Sequence, residues 1–174
     1  MENLIYLFIL SILIPFAITG ISAAPFVPTA KKDLERIINF SRIPKGGKLT
    51  LIELGCGTGR VLFEFARKFN NLNLIGIEMH PFLYFFTKIK AASLHLKSKV
   101  NIKFSNFYKS DLNSADIVYL YLLPRVMPKV RQKLEKDLKS GTKVISYAFP
   151  ISGWDPKEIS KEEKCLPIYL YERP

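Results

Sequence analysis

Cysteine is scarce. Two residues, Cys56 and Cys165, in a chain of 174 exclude a disulfide scaffold and a four-cysteine zinc site. Histidine is as scarce, with His80 and His95 alone, so a histidine-rich metal centre is ruled out and no metal is expected. Acidic residues are few beside basic ones, 15 against 26, for a net charge of +11. Repeats, linkers and low-complexity tracts are absent. A 48% hydrophobic content and a mean hydropathy of +0.11 exclude a disordered chain. The length suffices for one domain and not for two.

The apolar surplus lies at the front. Leu4–Ala24 is a run of 21 residues without a charge. As a helix it would span about 31 Å, matching a hydrocarbon core of about 30 Å. Pro15 stands mid-span, where membrane helices tolerate a kink. A cleaved signal peptide is the rival reading, because Ser22-Ala23-Ala24 are small residues at a plausible cleavage site. Against it stand the lack of Lys or Arg before the run, the length of the run, and Pro25 after the scissile bond. The favoured reading is one N-terminal transmembrane helix, an uncleaved single-pass anchor at residues 1–27, with one domain at 28–174. Lys31, Lys32 and Arg36 flank the run and put that domain on the cytoplasmic side by the positive-inside rule.

Glu2 is the only charged residue before Lys31, which leaves 26 basic and 14 acidic residues, net +12, behind the run. A lipid bilayer is therefore an expected partner, since anionic head groups attract each well-placed Lys or Arg by about 1 kcal/mol. Nucleic acid is not expected. The basic residues are scattered, and no nucleic-acid module is recognisable.

Behind the run, strands alternate with helices. An amphipathic stretch with Leu34, Ile37 and Ile38 ends at Pro44. Strands are expected near 49–54, 72–78, 100–104, 115–122, 142–149 and 168–171. Helices are expected near 58–69, 81–96 and from Pro128 to Gly141. The 115–122 run is apolar throughout and suits a strand buried on both faces. The pattern predicts a doubly wound α/β sheet of six strands, mostly parallel, with the last antiparallel to 142–149. The segment Lys157–Lys164 mixes charges and reads as a solvated surface stretch.

The informative motif is Glu53-Leu54-Gly55-Cys56-Gly57-Thr58-Gly59-Arg60. Its glycines sit where the first strand turns into a helix, and glycine lets a backbone take positive φ and approach a ligand closely. Glu78 ends the second strand, where a carboxylate can accept both hydroxyls of a ribose. Dinucleotide sites prefer a different glycine spacing, and Glu53 beside the loop would repel a pyrophosphate while suiting a cationic amino-acid group. The combination resembles motif I of the class I S-adenosylmethionine-dependent methyltransferases. In that resemblance the loop holds the methionyl part and Glu78 holds the ribose.

From Pro25 to Pro156 the chain resembles the small membrane-anchored protein-lysine methyltransferases, the family acting on the ATP synthase c-subunit and the adenine nucleotide translocase. Four segments carry the likeness: Pro25-Phe26-Val27-Pro28-Thr29, the loop ending Gly59-Arg60, Gly76-Ile77-Glu78-Met79-His80-Pro81-Phe82-Leu83, and Phe149-Pro150 with Trp154 and Pro156. It implies a protein substrate, which the anchor suggests is a membrane protein. Its cofactor-binding residues would be Glu53, Gly55, Cys56, Gly57, Gly59, Glu78, Met79, Asn106, Phe107 and Thr29. Thr58, His80, Asn106, Ala148 and Ser152 depart from the family pattern. Asn106 replaces an Asp that would accept from the adenine amino group, and its carbonyl oxygen can still accept.

Lysine methylation needs a neutral acceptor amine, which costs roughly 4–5 kcal/mol at pH 7 from a pKa of about 10.4. An aromatic channel lowers that cost by desolvation. Tyr121, beyond the end of the 115–122 strand, and Trp154 are the candidates for it. The competing view makes Tyr121 and Tyr119 core aromatics. His80 and His95 read as surface or capping residues, Cys56 as a small residue of the loop, and Asp111 and Asp155 as exposed turn residues. A methyltransferase of a lipid or small amphiphile, and a non-catalytic anchored module, are the alternatives.

Overall fold

The computed structural model describes residues 3–7, 9–10, 27–44, 46–96 and 99–174. A single 3-10 turn at Lys31–Asp33 leads into α1 (Leu34–Phe40). Then come β1 (Thr50–Leu54), α2 (Arg60–Lys68), β2 (Asn73–Glu78), α3 (Pro81–Ser93), β3 (Val100–Phe104) and β4 (Ile117–Leu120). A 3-10 turn at Pro124–Val126, α4 (Met127–Asp137), β5 (Lys143–Tyr147), β6 (Glu158–Ser160) and β7 (Ile168–Glu172) complete the order.

The strands form one sheet in the order β3-β2-β1-β4-β5-β7-β6. The first five are mutually parallel, β7 runs antiparallel to β5, and β6 antiparallel to β7. The expected antiparallel pairing of the last strand with β5 is present. The expected count of six is corrected to seven: β6 lies inside the mixed-charge segment read as solvated. Three residues with an intermediate–exposed–intermediate burial pattern carry no apolar period, and the strand is held by its backbone register with β7.

The two faces differ. On one, α1, α2 and Ala91 of α3 pack against Leu51, Leu74, Ile117, Tyr119 and Ile145. On the other, α4 packs against Ile52, Ile77, Val118, Leu120 and Val144, and the β3–β4 connection adds Phe107, Leu112 and Ala115 in place of a helix. All four residues of β4 are buried, as a strand covered on both faces requires. Val61, Leu62, Phe63, Phe65 and Ala66 of α2 are buried, and each large apolar side chain contributes about 1.5–3 kcal/mol.

Among the described residues no helix is long and apolar enough to cross a membrane. Residues 3–7 and 9–10 are helical and exposed, while residues 11–26, most of the run read as an anchor, lie outside the described residues.

Candidate functional site

The carboxyl ends of the parallel strands converge with the N-terminal segment on one cavity of about 830 Å³, open solvent included. The β1–α2 loop forms its floor. Gly55, Gly57 and Gly59 all have positive φ, at 71°, 52° and 68°. At Gly59 packing also requires glycine: a Cβ there would stand 2.8 Å from Thr87 Cγ2 and 2.9 Å from the Phe63 ring. The loop is tied to β2, since the N–H groups of Gly55 and Cys56 both donate to the Ile77 carbonyl at 2.9 and 3.0 Å. Thr87 Oγ1 of α3 donates to the Gly57 carbonyl at 2.5 Å.

Two carboxylates line the cavity in contrasting states. Glu78 accepts from the Gly57 N–H through Oε2 and from the His80 N–H through Oε1, both at 2.8 Å. Glu53 is 5% exposed, and its Oε2 has no hydrogen-bond partner among the described residues. Burial first, and then the charge of Glu78, push the Glu53 carboxyl well above the usual carboxylate range, against a backbone hydrogen bond that lowers it. A buried carboxylate with one oxygen left unpartnered is costly unless a cation meets it. Burial also pushes the Cys56 thiol up, with Glu53 and Glu78 adding to the effect, so it stays a thiol in the loop and not a nucleophile.

Residues 27–33 close one side as a strap. Arg60 Nη1 donates to the Thr29 carbonyl at 2.6 Å, and Thr29 Oγ1 shares a hydrogen bond of 2.9 Å with the buried Tyr119 hydroxyl. Tyr147 donates to Asp33 Oδ2 at 2.5 Å. Val27, Pro28 and Thr29 thereby line the cavity. Opposite, Tyr121 lines it with an aromatic backing: its ring centroid is 4.8 Å from that of Tyr147, edge-on, and 6.4 Å from that of Phe149, stacked. Burial raises the Tyr121 phenol, so it is neutral and can donate.

Of the residues expected in the site, Thr29, Glu53, Gly55, Cys56, Gly57, Glu78, Met79, Phe107 and Tyr121 line this cavity. Gly59, Asn106 and Trp154 do not. Gly59 serves packing behind the loop. Asn106 commits Oδ1 to the Tyr108 N–H at 3.0 Å, in a turn of its own. Trp154, expected to close the acceptor channel, instead donates from Nε1 to Glu135 of α4 at 3.0 Å and packs against Tyr171 at 5.9 Å. Asp111 and Asp155 are exposed, as expected of turn residues. His80 is a cap, as expected, but a buried one: its Nδ1 accepts from the Leu83 N–H at 3.4 Å, it lines the cavity, and burial lowers its pKa. Sequence reasoning missed Arg60, Pro28 and Leu83. The Gly59-Arg60 junction was visible in the motif, but its partner Thr29 lies 31 residues away.

Known proteins match this arrangement. The family model described as the ANTKMT methyltransferase domain matches residues 53–158. A protein-lysine N-methyltransferase of Saccharolobus islandicus (strain REY15A) is 33% identical over 84% of this chain and 92% of its own. The human lysine N-methyltransferase of the ATP synthase c-subunit is 26% identical over 79% of this chain, which spans 57% of that relative's length. A crystal structure described as an RNA methyltransferase from Salinibacter ruber, in complex with S-adenosyl-L-homocysteine, superposes with a TM-score of 0.79 at 29% identity, over 85% of this chain and 94% of the other. The match across the strands and loops that build the cavity, and the identity spread over nearly the whole of the Saccharolobus relative, establish that the chain belongs to the ANTKMT family of S-adenosylmethionine-dependent protein-lysine methyltransferases.

Proposed function

We propose that the chain methylates the ε-amine of lysine in a protein, and that residues 1–27 hold its single domain, 28–174, at the cytoplasmic side of a membrane. The Glu53 carboxylate, whose Oε2 has no partner among the described residues, carries the cofactor part of the reading: it is buried, lines the cavity, and is the group a cationic amino-acid moiety would neutralise. Glu53 and the loop at Gly55, Cys56 and Gly57 would hold the methionyl end, with Thr29 over it. Glu78 would hold the ribose, its carboxylate aimed by two backbone N–H groups, with Met79 and Phe107 against the base. S-adenosylmethionine, when bound, supplies a methyl group activated on a sulfonium.

The chain's own task is alignment and desolvation. Fixing an acceptor amine in line can supply roughly 7–11 kcal/mol of the barrier. Tyr121, backed by Tyr147 and Phe149, gives the acceptor an apolar approach that favours its neutral form. The anchor reading is supported by the uncharged run Leu4–Ala24 and by the exposure of Leu4, Ile5, Tyr6 and Leu7. An anchor would raise the enzyme's concentration near membrane-protein substrates.

The test is to incubate the full chain with methyl-labelled cofactor and membranes, and to digest to amino acids. Label in methyllysine is expected. Label confined to lipid would assign the enzyme to an amphiphile. The second reading is an RNA substrate, favoured by the description of the Salinibacter structure. Label removed by ribonuclease would establish it.

A further inference from the structure

Helix α3 faces outward with its apolar side. Phe82, Phe85, Phe86 and Ile89 are 57%, 62%, 46% and 70% exposed, whereas Thr87 and Ala91 are the buried residues of the helix. At about 100° per residue the four fall within an arc of roughly 100°, a width typical of a face that packs on something. Phe104 at the end of β3 extends it: 57% exposed, it touches the Tyr84 ring at 5.3 Å, and Tyr84 in turn touches Phe85 at 5.1 Å. Soluble proteins rarely leave so many large apolar groups together in water.

The segment that carries this face has charges of one sign. From Met79 to Ser110 the sequence contains six lysines and no Asp or Glu. Lys88 and Lys90 border the apolar arc on opposite sides. Lys90 Nζ lies 5.9 Å from the Phe86 ring and 5.4 Å from the Phe63 ring, and Lys88 Nζ bonds the Tyr84 hydroxyl at 3.1 Å. An apolar stripe rimmed by long cationic side chains suits the boundary between acyl chains and anionic head groups, where lysine stems lie along apolar surface and their heads reach the phosphates.

We propose that α3 and Phe104 form a second membrane contact, in which Phe82, Phe85, Phe86, Ile89 and Phe104 enter the interface of an anionic bilayer and the surrounding lysines pair with its head groups. The occupant is lipid, on two grounds. A segment with six lysines and no carboxylate complements an anionic surface. The face is also continuous with the cavity lining: Leu83 of α3 and the exposed Val27, three residues after the uncharged run, both line the cavity. The contact would turn the cavity toward the bilayer surface. The proposal uses the anchor reading only to bring the domain near lipid, and it is independent of which substrate is methylated.

The full chain carrying Ile89→Trp is incorporated into vesicles of brominated-acyl phosphatidylcholine, pure or mixed in equal parts with phosphatidylserine. Co-flotation reports the anchor; bromine quenching of the introduced indole, above the background of Trp154, reports the face. The expected result is about twofold or greater quenching in the anionic vesicles and clearly less in the neutral ones. Lys139→Trp, exposed in the turn before β5 and separated from β2 and β3 by β1 and β4, is expected to stay at background. Three results overturn the proposal: a floated chain whose residue-89 indole is unquenched in both vesicles, equal quenching in both, or a detergent-solubilised dimer cross-linking through position 89, which gives the face to a second copy. Failure to float would overturn the anchor reading instead, and soluble chain added to anionic vesicles would then test the face.

Discussion

Replacing Glu53 by glutamine keeps the shape and removes the charge, so stability and ligand affinity should move in opposite directions. In the unliganded protein the carboxylate is buried, half unpartnered, and faces Glu78. Its folded pKa lies above the ordinary value of 4.5. A group raised on folding contributes stability that is complete below the unfolded value and lost as the pH climbs through the folded one. The unliganded enzyme should therefore weaken as pH rises above about 4.5, and Glu53→Gln should flatten that slope and melt higher at about pH 7. With S-adenosylmethionine present the balance reverses. A hydrogen bond to a charged group is worth about 1.5–3 kcal/mol, so the variant should bind roughly 10- to 150-fold more weakly. Calorimetric titration gives the affinity, and melting curves between about pH 5 and pH 8 give the slope. A variant that binds within about twofold of the parent and melts with the same pH slope would refute both the pairing and the assignment of the orphaned oxygen.

Glu78→Ala should lose cofactor binding and also about 2–3 kcal/mol of stability, because the Gly57 and His80 N–H groups lose a charged acceptor; calorimetry and urea unfolding read the two separately. Gly76→Ala should cost about 1–3 kcal/mol by urea unfolding, since its Cβ would meet Leu62 Cδ1 at 2.6 Å and Cys56 Sγ at 2.7 Å. Tyr121→Ala should lower methyl transfer at least about tenfold while leaving cofactor affinity near the parent value, and equal losses in both would move Tyr121 out of the acceptor channel. Trp154→Phe should cost about 1 kcal/mol through the lost bond to Glu135 and leave turnover unchanged; a collapse of turnover would restore the channel role that the structure withholds.

Features imposed by the backbone were legible in the sequence. The glycine loop needs positive φ at three alternate positions, and few other residues supply it, so its place between β1 and α2 was readable. Glu78 was readable because β2 lies in register beside β1, with Leu54 opposite Ile77. Side-chain orientation was not. Asn106 turns to its own neighbour Tyr108, and Trp154 turns to a glutamate on α4, choices that depend on partners no local pattern reveals. The strap was hidden for the same reason, since Thr29 meets Tyr119 across 90 residues. β6 was hidden because an edge strand with one apolar residue, Ile159, has no period to detect.

The strap also behaves as a length of leash. Residues 27–33 begin three residues after the end of the uncharged run, and Arg60, Tyr119 and Tyr147 fasten them over the cavity. Unfastened and extended, these seven residues would add about 23 Å between the domain and whatever holds the chain upstream, at roughly 3.3 Å per residue. Ligand bound beneath Thr29 is expected to add a contact that keeps the leash fastened. Tryptic cleavage at Lys31 and Lys32 should accordingly slow when S-adenosylmethionine is added, and an unchanged rate would leave the strap indifferent to the cofactor.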